Sequence, residues 1–217
     1  MRISFKSVLL FSPHTDDCEF GMGGTLSKLV KSGCDITWVV CSNPVKSLPE
    51  GFSSDTLILE QEKSAAKLGI NADQIIFWDF DVRRFPEQRQ EILERMVQLG
   101  RELDFDAIFC PSQNDWHQDH MTISNEVRRA FKKKTILGYD LPWNNFQSDH
   151  NLLIPLSLKD LEEKISVLST YESQRHRPYM DAEFLKSIAR VRAAPLECEY
   201  AEAFEVIRMV VDGELKF

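Results

Sequence analysis

The stretch His14-Thr15-Asp16-Asp17-Cys18-Glu19 places three carboxylates and one imidazole directly behind the apolar run at residues 8–11. Carboxylates that are buried behind a strand without a partner cost several kcal/mol or shift their pKa until they are neutral. A bound cation is the simplest partner for them. His14 and Asp17 offer an imidazole nitrogen and a hard oxygen, while Asp16, which faces another way, is free to act as a base.

A second cluster, His117-Gln118-Asp119-His120, follows the apolar run at residues 106–111, which ends in a proline. Its two histidines stand three residues apart, and this spacing places both on one face of a helical turn. Together the two clusters can offer a metal two histidines and one carboxylate, with Asp16 as a spare carboxylate for catalysis and one imidazole to spare.

Each cluster also has an interpretation without a metal. The acidic residues of the first cluster suit an N-terminal helix cap, because they accept hydrogen bonds from free N–H groups and complement the helix dipole. Two surface histidines would produce the second spacing by chance. A cap explains one or two carboxylates, but it explains neither His14 nor the second cluster, so the pattern favours a metal site.

Apolar runs alternate with helical patterns along the chain. Strands are predicted at 8–11, 35–41, 74–78, 106–111 and 135–139, with less regular segments at 151–156 and 200–208. Helices are predicted at 26–33, 55–68, 87–103, 122–133, 158–168 and 181–192, and a loop at 43–54. This alternation predicts an α/β, Rossmann-like fold: a mainly parallel sheet with helices on both faces. Both clusters follow strands, where open α/β sheets place their sites.

Composition narrows the class of protein. A length of 217 residues suits a single domain over residues 1–217. The net charge of −8 argues against a broad electrostatic surface for nucleic acid or for an anionic membrane. Five cysteines without tight spacing are typical of reduced thiols. The first ten residues contain too short an apolar run for a signal peptide or a membrane span, so we expect a cytoplasmic protein.

The motif H-x-D-D-x-E at residues 14–19, followed by G-x-G-G-T-L and later by H-x-D-H at residues 117–120, resembles the zinc-dependent N-acetyl-sugar deacetylases of the LmbE-like or PIG-L family. The resemblance extends from Val8 to the segment at residues 200–204. Thr15 and Cys18 depart from the commoner forms of the first motif, but neither departure removes a metal ligand.

The resemblance implies a site and a role for each of its residues. Zn²⁺ would be bound by His14, Asp17 and His120, with an open position for water. Asp16 would be the general base, protonated His117 would stabilise the oxyanion, and Asp119 would orient His117 and keep it cationic. Sites with two histidines and one carboxylate also suit Fe²⁺, so zinc is what the family implies rather than what the ligands require.

The substrate implied by the resemblance is a small molecule with an N-acetylated amino sugar, from which the acetyl group is removed. Arg83, Arg84, Arg175 and Arg177 suggest an anionic sugar or else a solvated face. Trp143, Tyr171 and Tyr200 are candidates for stacking on a ring, and Arg83 and Tyr200 are the predicted substrate-binding residues. The alternatives are a metal hydrolase for another amide or ester bond and a non-catalytic protein that binds metal and carbohydrate. The oligomeric state stays open, with a homo-oligomer as one option.

Overall fold

The structure, a computed structural model, describes residues 4–42, 48–147 and 149–211. Within these ranges seven strands form one sheet. They are β1 (Ser7–Ser12), β2 (Asp35–Val40), β3 (Ile75–Phe77), β4 (Ala107–Pro111), β5 (Thr135–Tyr139), β6 (Leu152–Leu156) and β7 (Tyr200–Arg208). Their order across the sheet is β3-β2-β1-β4-β5-β7-β6. Residues 43–47 of the predicted loop at 43–54 lie outside the described ranges.

The first five strands pair in parallel, which confirms the mainly parallel sheet that the sequence predicts. The two less regular segments are both strands. β7 pairs antiparallel with β5 on one side and with β6 on the other, so the sheet ends in an antiparallel edge.

Helices cover both faces of the sheet, as predicted. They are α1 (Asp17–Lys31), α2 (Thr56–Leu68), α3 (Phe85–Glu102), α4 (Gln118–Ala130), α5 (Leu158–Leu168) and α6 (Ala182–Ala193). Successive residues of β1 point to opposite faces: Val8 and Leu10 belong to a core that includes residues of α1, whereas Leu9 and Phe11 belong to a core with residues of α3 and α4. A strand that is buried on both faces reads as a continuous apolar run, which explains the sequence pattern.

Helix α1 begins inside the first cluster, at Asp17, well before the predicted start. Its glycines allow it to lie close to the sheet. A Cβ atom on Gly21 would clash with Cδ2 of Tyr139, and one on Gly24 would stand 2.6 Å from Cδ1 of Leu156. Larger residues at these positions would push α1 away from the sheet and move the first cluster with it.

Strands β1 and β4 are neighbours, with Leu9 paired to Ile108. Because the two strands are parallel, the clusters that follow them emerge at the same edge of the sheet. The order of the strands therefore brings together two motifs that are far apart in sequence. None of the helices in the described ranges has the length and apolar character needed to cross a membrane.

Candidate metal centre

The first cluster occupies the turn between β1 and α1. Asp16 has a left-handed backbone conformation (φ 78°), which is uncommon for a residue other than glycine and often marks a functional position. Its carbonyl accepts a hydrogen bond from the N–H of Phe20 at 3.0 Å, within the first turn of the helix. The N–H of His14 donates to Oδ2 of Asp17 at 2.7 Å. The turn thus holds two predicted ligands side by side.

Three predicted ligand atoms form a compact triangle. Nδ1 of His14 lies 3.3 Å from Oδ2 of Asp17 and 3.2 Å from Nε2 of His120. The third side, from Nε2 of His120 to Oδ2 of Asp17, is 3.4 Å. Zinc ligands at about 2.0 to 2.2 Å in a tetrahedral site stand about 3.3 to 3.6 Å from one another. The triangle therefore has dimensions that suit three ligands of one tetrahedral metal ion.

A second set of possible ligands consists of three histidines. One ring nitrogen each from His14, His117 and His120 lies within 4.8 Å of the others. In the triangle that contains Asp17 every separation is 3.4 Å or less. Nδ1 of His117 also accepts a hydrogen bond from the N–H of Asp119 at 3.2 Å, so that its lone pair already has a donor. These two observations favour the set with the carboxylate, which stays a prediction.

Each histidine of the triangle has a carboxylate behind it. Nε2 of His14 lies 3.0 Å from Oδ2 of Asp119, and Nδ1 of His120 lies 2.7 Å from Oδ2 of Asp115. Histidines that bind metals usually donate their other N–H group to such a carboxylate, which fixes the tautomer and the orientation of the ring. When these outer nitrogens donate to their carboxylates, the nitrogens left to bind a metal ion in place of a proton are the two that belong to the triangle.

The predicted role of Asp119 is wrong. Its carboxylate contacts His14 and not His117, because residues two apart at the start of a helix do not face each other. The carboxylate also accepts hydrogen bonds from the N–H groups of Arg83 at 2.6 Å and Phe85 at 3.3 Å. Arg83 has a positive φ of 69°, and this backbone conformation accompanies its contact with Asp119.

The predicted positive charge of His117 is also wrong. Burial and the positive charges of His120 and His14 lower the pKa of His117 to about 4, so the ring is neutral at neutral pH. Because Nδ1 accepts from a backbone N–H, the proton of the neutral ring lies on Nε2. His117 lines the pocket and offers a neutral N–H donor. A neutral imidazole can stabilise an oxyanion in this way.

The electrostatics around the triangle suit a cation. Burial by itself would lower the pKa of His14, but hydrogen bonds with Asp119 and Asp17 outweigh it and raise the pKa to about 10. Burial likewise opposes the charged form of Asp17, yet the charge of His120 and the contact with His14 lower its pKa. A positive charge at this position is therefore favoured by the surrounding carboxylates, and a metal ion would supply it in place of a proton.

Asp16 differs from Asp17 in its surroundings. Burial, followed by the negative charges of Asp17 and Glu19, raises the pKa of Asp16 well above its usual range. The side chain lines the pocket, and none of the described residues donates a hydrogen bond to its carboxylate. Asp16 is thus available to exchange a proton with a molecule in the pocket.

A buried network lies beneath the first cluster. Oε1 of Glu19 accepts hydrogen bonds from Ser64, from Gln61 at 3.2 Å and from the hydroxyl of Tyr171 at 2.7 Å. Oε1 of Gln61 accepts a hydrogen bond from the backbone N–H of Asp16 at 3.4 Å. Burial raises the pKa of Glu19 to about 7. Tyr171 therefore stabilises the turn between β1 and α1 from a buried position, and its ring is not available to stack on a sugar.

A cavity of about 270 Å³ opens over the triangle. Arg83, Arg177 and Trp143 line it together with residues of both clusters. The ring of Trp143 stacks on that of Tyr179 with a centroid distance of 4.0 Å and an interplanar angle of 11°. Small-molecule sites commonly combine aromatic walls with a few convergent polar groups, as this cavity does.

Three of the predicted substrate contacts lie elsewhere. Tyr200 is buried in a small apolar cluster with Leu156, Leu161 and Ala189, so its assignment to substrate binding is wrong. Arg84 and Arg175 are exposed and do not line the cavity over the triangle.

Sequence reasoning missed two groups of residues in this region. Asp115 lies in the loop before the second cluster. Its closeness in sequence to His117 and His120 was the one available signal that it contacts a ligand histidine. Gln61 and Tyr179 come from segments that only the fold brings to the site, where Gln61 accepts from the N–H of Asp16 and Tyr179 lines the cavity. Nothing in their local sequence distinguishes them from ordinary helix and loop residues.

The fold and this site define a class of protein: an α/β chain with a candidate metal centre at the carboxyl ends of its parallel strands. The chain belongs to the GlcNAc-PI de-N-acetylase (PIG-L) family, whose pattern matches residues 9–131, more than half of its length. The resemblance seen in the two motifs is therefore confirmed.

Three known proteins are similar to this chain. Diacetylchitobiose deacetylase of Thermococcus kodakarensis is 34% identical over 53% of this chain, and the aligned part spans 45% of that protein. The alignment with the structure of N,N'-diacetylchitobiose deacetylase from Pyrococcus horikoshii covers 94% of this chain and 84% of that chain, with a TM-score of 0.79 and 23% identity. The alignment with GalB, a 4-carboxy-2-hydroxymuconate hydratase from Pseudomonas putida, covers 97% of this chain and 100% of that chain, with a TM-score of 0.75 and 16% identity. The last two likenesses show the fold alone.

Proposed function

We propose that the protein is a metal-dependent hydrolase, with zinc as the metal, that removes the N-acetyl group from an amino sugar or a sugar conjugate. The observation that carries this proposal is the triangle of His14, Asp17 and His120, with the carboxylate of Asp16 in the same cavity and without a hydrogen bond from the described residues. Membership of the family supports the type of reaction.

A metal ion at the triangle would supply Lewis acidity, which acidifies a water molecule and polarises the acetamide carbonyl. Asp16 accepts the proton of the attacking water. Nε2–H of His117 donates a hydrogen bond to the developing oxyanion, and its position on the cavity wall supports this role. Asp119 and Asp115 orient His14 and His120 and do not themselves take part in proton transfer.

The leaving amine must receive a proton as the C–N bond breaks. Asp16 has gained one from the water and returns it to the nitrogen, so that a carboxylate remains. His117 is a poor alternative, because its neutral ring would become an imidazolate on losing Nε2–H. One residue therefore carries the proton in both directions.

The cavity supports an anionic sugar as substrate. Nε of Arg177 donates to Oε1 of Gln174 at 2.6 Å and Nη1 donates to the hydroxyl of Tyr179 at 2.8 Å. No ion pair joins Arg177 to a carboxylate among the described residues, and Arg177 lines the cavity together with Arg83. A partly buried guanidinium with free N–H groups is suited to a phosphate or carboxylate.

The free thiols of all five cysteines support a cytoplasmic location.

The test is a screen of the purified, zinc-loaded protein against N-acetylated monosaccharides, oligosaccharides, sugar phosphates and glycosides, with released amine and released acetate measured together. Equal amounts of both products are expected, and the Asp16→Asn variant serves as the inactive control. Hydrolysis of an ester, or addition of water to a carbon–carbon double bond, without release of amine from any N-acetyl sugar, would overturn the proposal. Binding of sugars without any turnover would identify a non-catalytic protein.

A further inference from the structure

Two large aromatic side chains lie exposed beside the cavity. Trp116 is 70% exposed and Phe146 is 79% exposed, and their rings meet edge to face with centroids 5.4 Å apart. Single exposed apolar residues are common on protein surfaces, but a paired aromatic patch next to a pocket generally marks a binding site.

The pair is attached to the metal centre through the backbone. Trp116 stands between Asp115, which contacts His120, and His117, which lines the cavity. Its N–H donates to the carbonyl of Asn144 at 3.1 Å, and Asn144 lines the same cavity. The loop that carries Asn144 continues to Phe146. Two loops that form the wall of the cavity therefore each place one aromatic ring outside it.

The segments that carry the pair, residues 113–118 and 144–147, contain six neutral amides: Gln113, Asn114, Gln118, Asn144, Asn145 and Gln147. Four of them donate a hydrogen bond inside the protein, Asn114 to Asp149, Gln118 to the carbonyl of Arg83, Asn144 to Asp115 and Asn145 to Asp140, which leaves their oxygens as acceptors. Amides supply both donors and acceptors without charge, and they match the hydroxyl groups at the edge of a pyranose ring. The apolar C–H face of such a ring fits an aromatic surface. The arginines that line the cavity are carried by other segments, at residues 83 and 177.

We infer that Trp116 and Phe146 form a second sugar subsite, which stacks on the ring next to the N-acetylated sugar whose amide lies at the metal centre. The inference rests on the proposed function and makes it more specific, since the preferred substrates then carry at least two sugar rings. A patch of only two rings beside the cavity suits one sugar ring better than a stable protein interface, which buries about 1,200 Å² or more.

The first experiment compares kcat/KM for N-acetylglucosamine and for N,N'-diacetylchitobiose in the wild type and in Trp116→Ala, Phe146→Ala and Trp116→Phe. The readout is the ratio of the two-ring value to the one-ring value. Each alanine variant should lower this ratio roughly fivefold to tenfold, mainly through KM, because a lost stacking contact acts on binding. Trp116→Phe should keep most of the ratio. The matched control is Leu103→Ala, an exposed apolar residue before β4 at the opposite edge of the sheet.

The second experiment separates the subsite from catalysis. Calorimetric titration of the Asp16→Asn variant with the same two sugars should show tighter binding of the two-ring sugar, and adding Trp116→Ala should remove that difference. If the wild type releases no amine but this binding difference is present, the proposed function fails and the subsite stands. If the ratio of kcat/KM values and the binding difference both survive Trp116→Ala, the inference is wrong. A change of oligomeric state in Trp116→Ala or Phe146→Ala by sedimentation velocity, with the sugar preference unchanged, would assign the pair to an interface between copies of this chain.

Discussion

Oδ2 of Asp119 lies 3.0 Å from Nε2 of His14, 105 positions earlier in the chain. This contact determines which nitrogen of His14 carries the proton and therefore which nitrogen faces Asp17 and His120. Asp115 fixes the position of the proton on His120 in the same way, through Nδ1 of that ring. One carboxylate binds Nε2 and the other binds Nδ1, so the two imidazoles present different nitrogens to one point.

Asp119→Asn and Asp115→Asn should each weaken metal binding by about 10- to 100-fold, because an amide no longer supports the orientation and basicity of the ligand histidine. Competition with a chromophoric chelator measures the affinity. Asp104→Asn is the control, since Asp104 is 93% exposed and precedes β4, far from the strand ends that carry the site. Unchanged affinity in both site variants would show that these carboxylates do not act through the histidines.

The local sequence patterns predicted the mainly parallel sheet and the two clusters that meet at its edge, because each cluster follows a buried strand. The choice of His14, Asp17 and His120 as the ligand set came from the resemblance to the family. The partner of each carboxylate could not be predicted in this way. The sequence predicts that Asp119 contacts its near neighbour His117, whereas the fold places it against His14, in the turn after another strand.

The charge of His117 shows a second limit of sequence reasoning. A histidine beside an aspartate in sequence is expected to be cationic, but this ring stands next to two other imidazoles, with centroids 4.9 Å and 4.7 Å away. Their positive charge and the burial of the ring act against protonation. Three-dimensional neighbours, which the sequence does not show, decide the charge.

His117→Ala should retain the metal and lose turnover. Removal of a single donor to an oxyanion typically costs about 10² to 10³ in kcat. Metal content by elemental analysis and kcat on the best substrate are the two measurements. Loss of the metal in this variant, with Asp17→Asn still loaded, would show instead that the three histidines bind the metal and that the triangle with Asp17 does not.

Arg177→Ala should raise KM for an N-acetyl sugar that carries a phosphate or carboxylate far more than for its neutral counterpart. Loss of one partner of a buried charge pair costs about 2 to 5 kcal/mol. Arg175→Ala is the control, because that side chain is 64% exposed and outside the cavity. Equal effects of the two variants on the anionic substrate would assign both arginines to a solvated face.

Glu60 should affect the anionic substrate without contacting it. Its carboxylate accepts hydrogen bonds from the N–H of Ser173 at 2.9 Å and from its hydroxyl at 2.6 Å. Gln174, the residue after Ser173, accepts a hydrogen bond from Nε of Arg177. Glu60→Gln should therefore raise KM for the anionic sugar less than Arg177→Ala does, with kcat retained. Additive effects in the double variant would show that Glu60 does not act by positioning Arg177.

Asp16 and Asp17 are adjacent in sequence, but the structure gives them different surroundings. Asp17 is tied to His14 and His120, whereas the carboxylate of Asp16 receives no hydrogen bond from the described residues and lines the cavity. Asp17→Asn should weaken metal binding, because a neutral amide is a poorer ligand than a carboxylate. Asp16→Asn should keep the metal and lose about 10² to 10⁴ in rate, because an amide cannot accept the proton of water.

The measurements for this pair are metal content, kcat and thermal unfolding of the metal-loaded proteins. Both variants should remain folded, since each carboxylate serves the site and neither belongs to an apolar core. Loss of the metal in Asp16→Asn, with metal and activity kept in Asp17→Asn, would exchange the two roles. Full activity in both variants would mean that these carboxylates only cap helix α1, and the proposed hydrolysis would then need another base and another ligand.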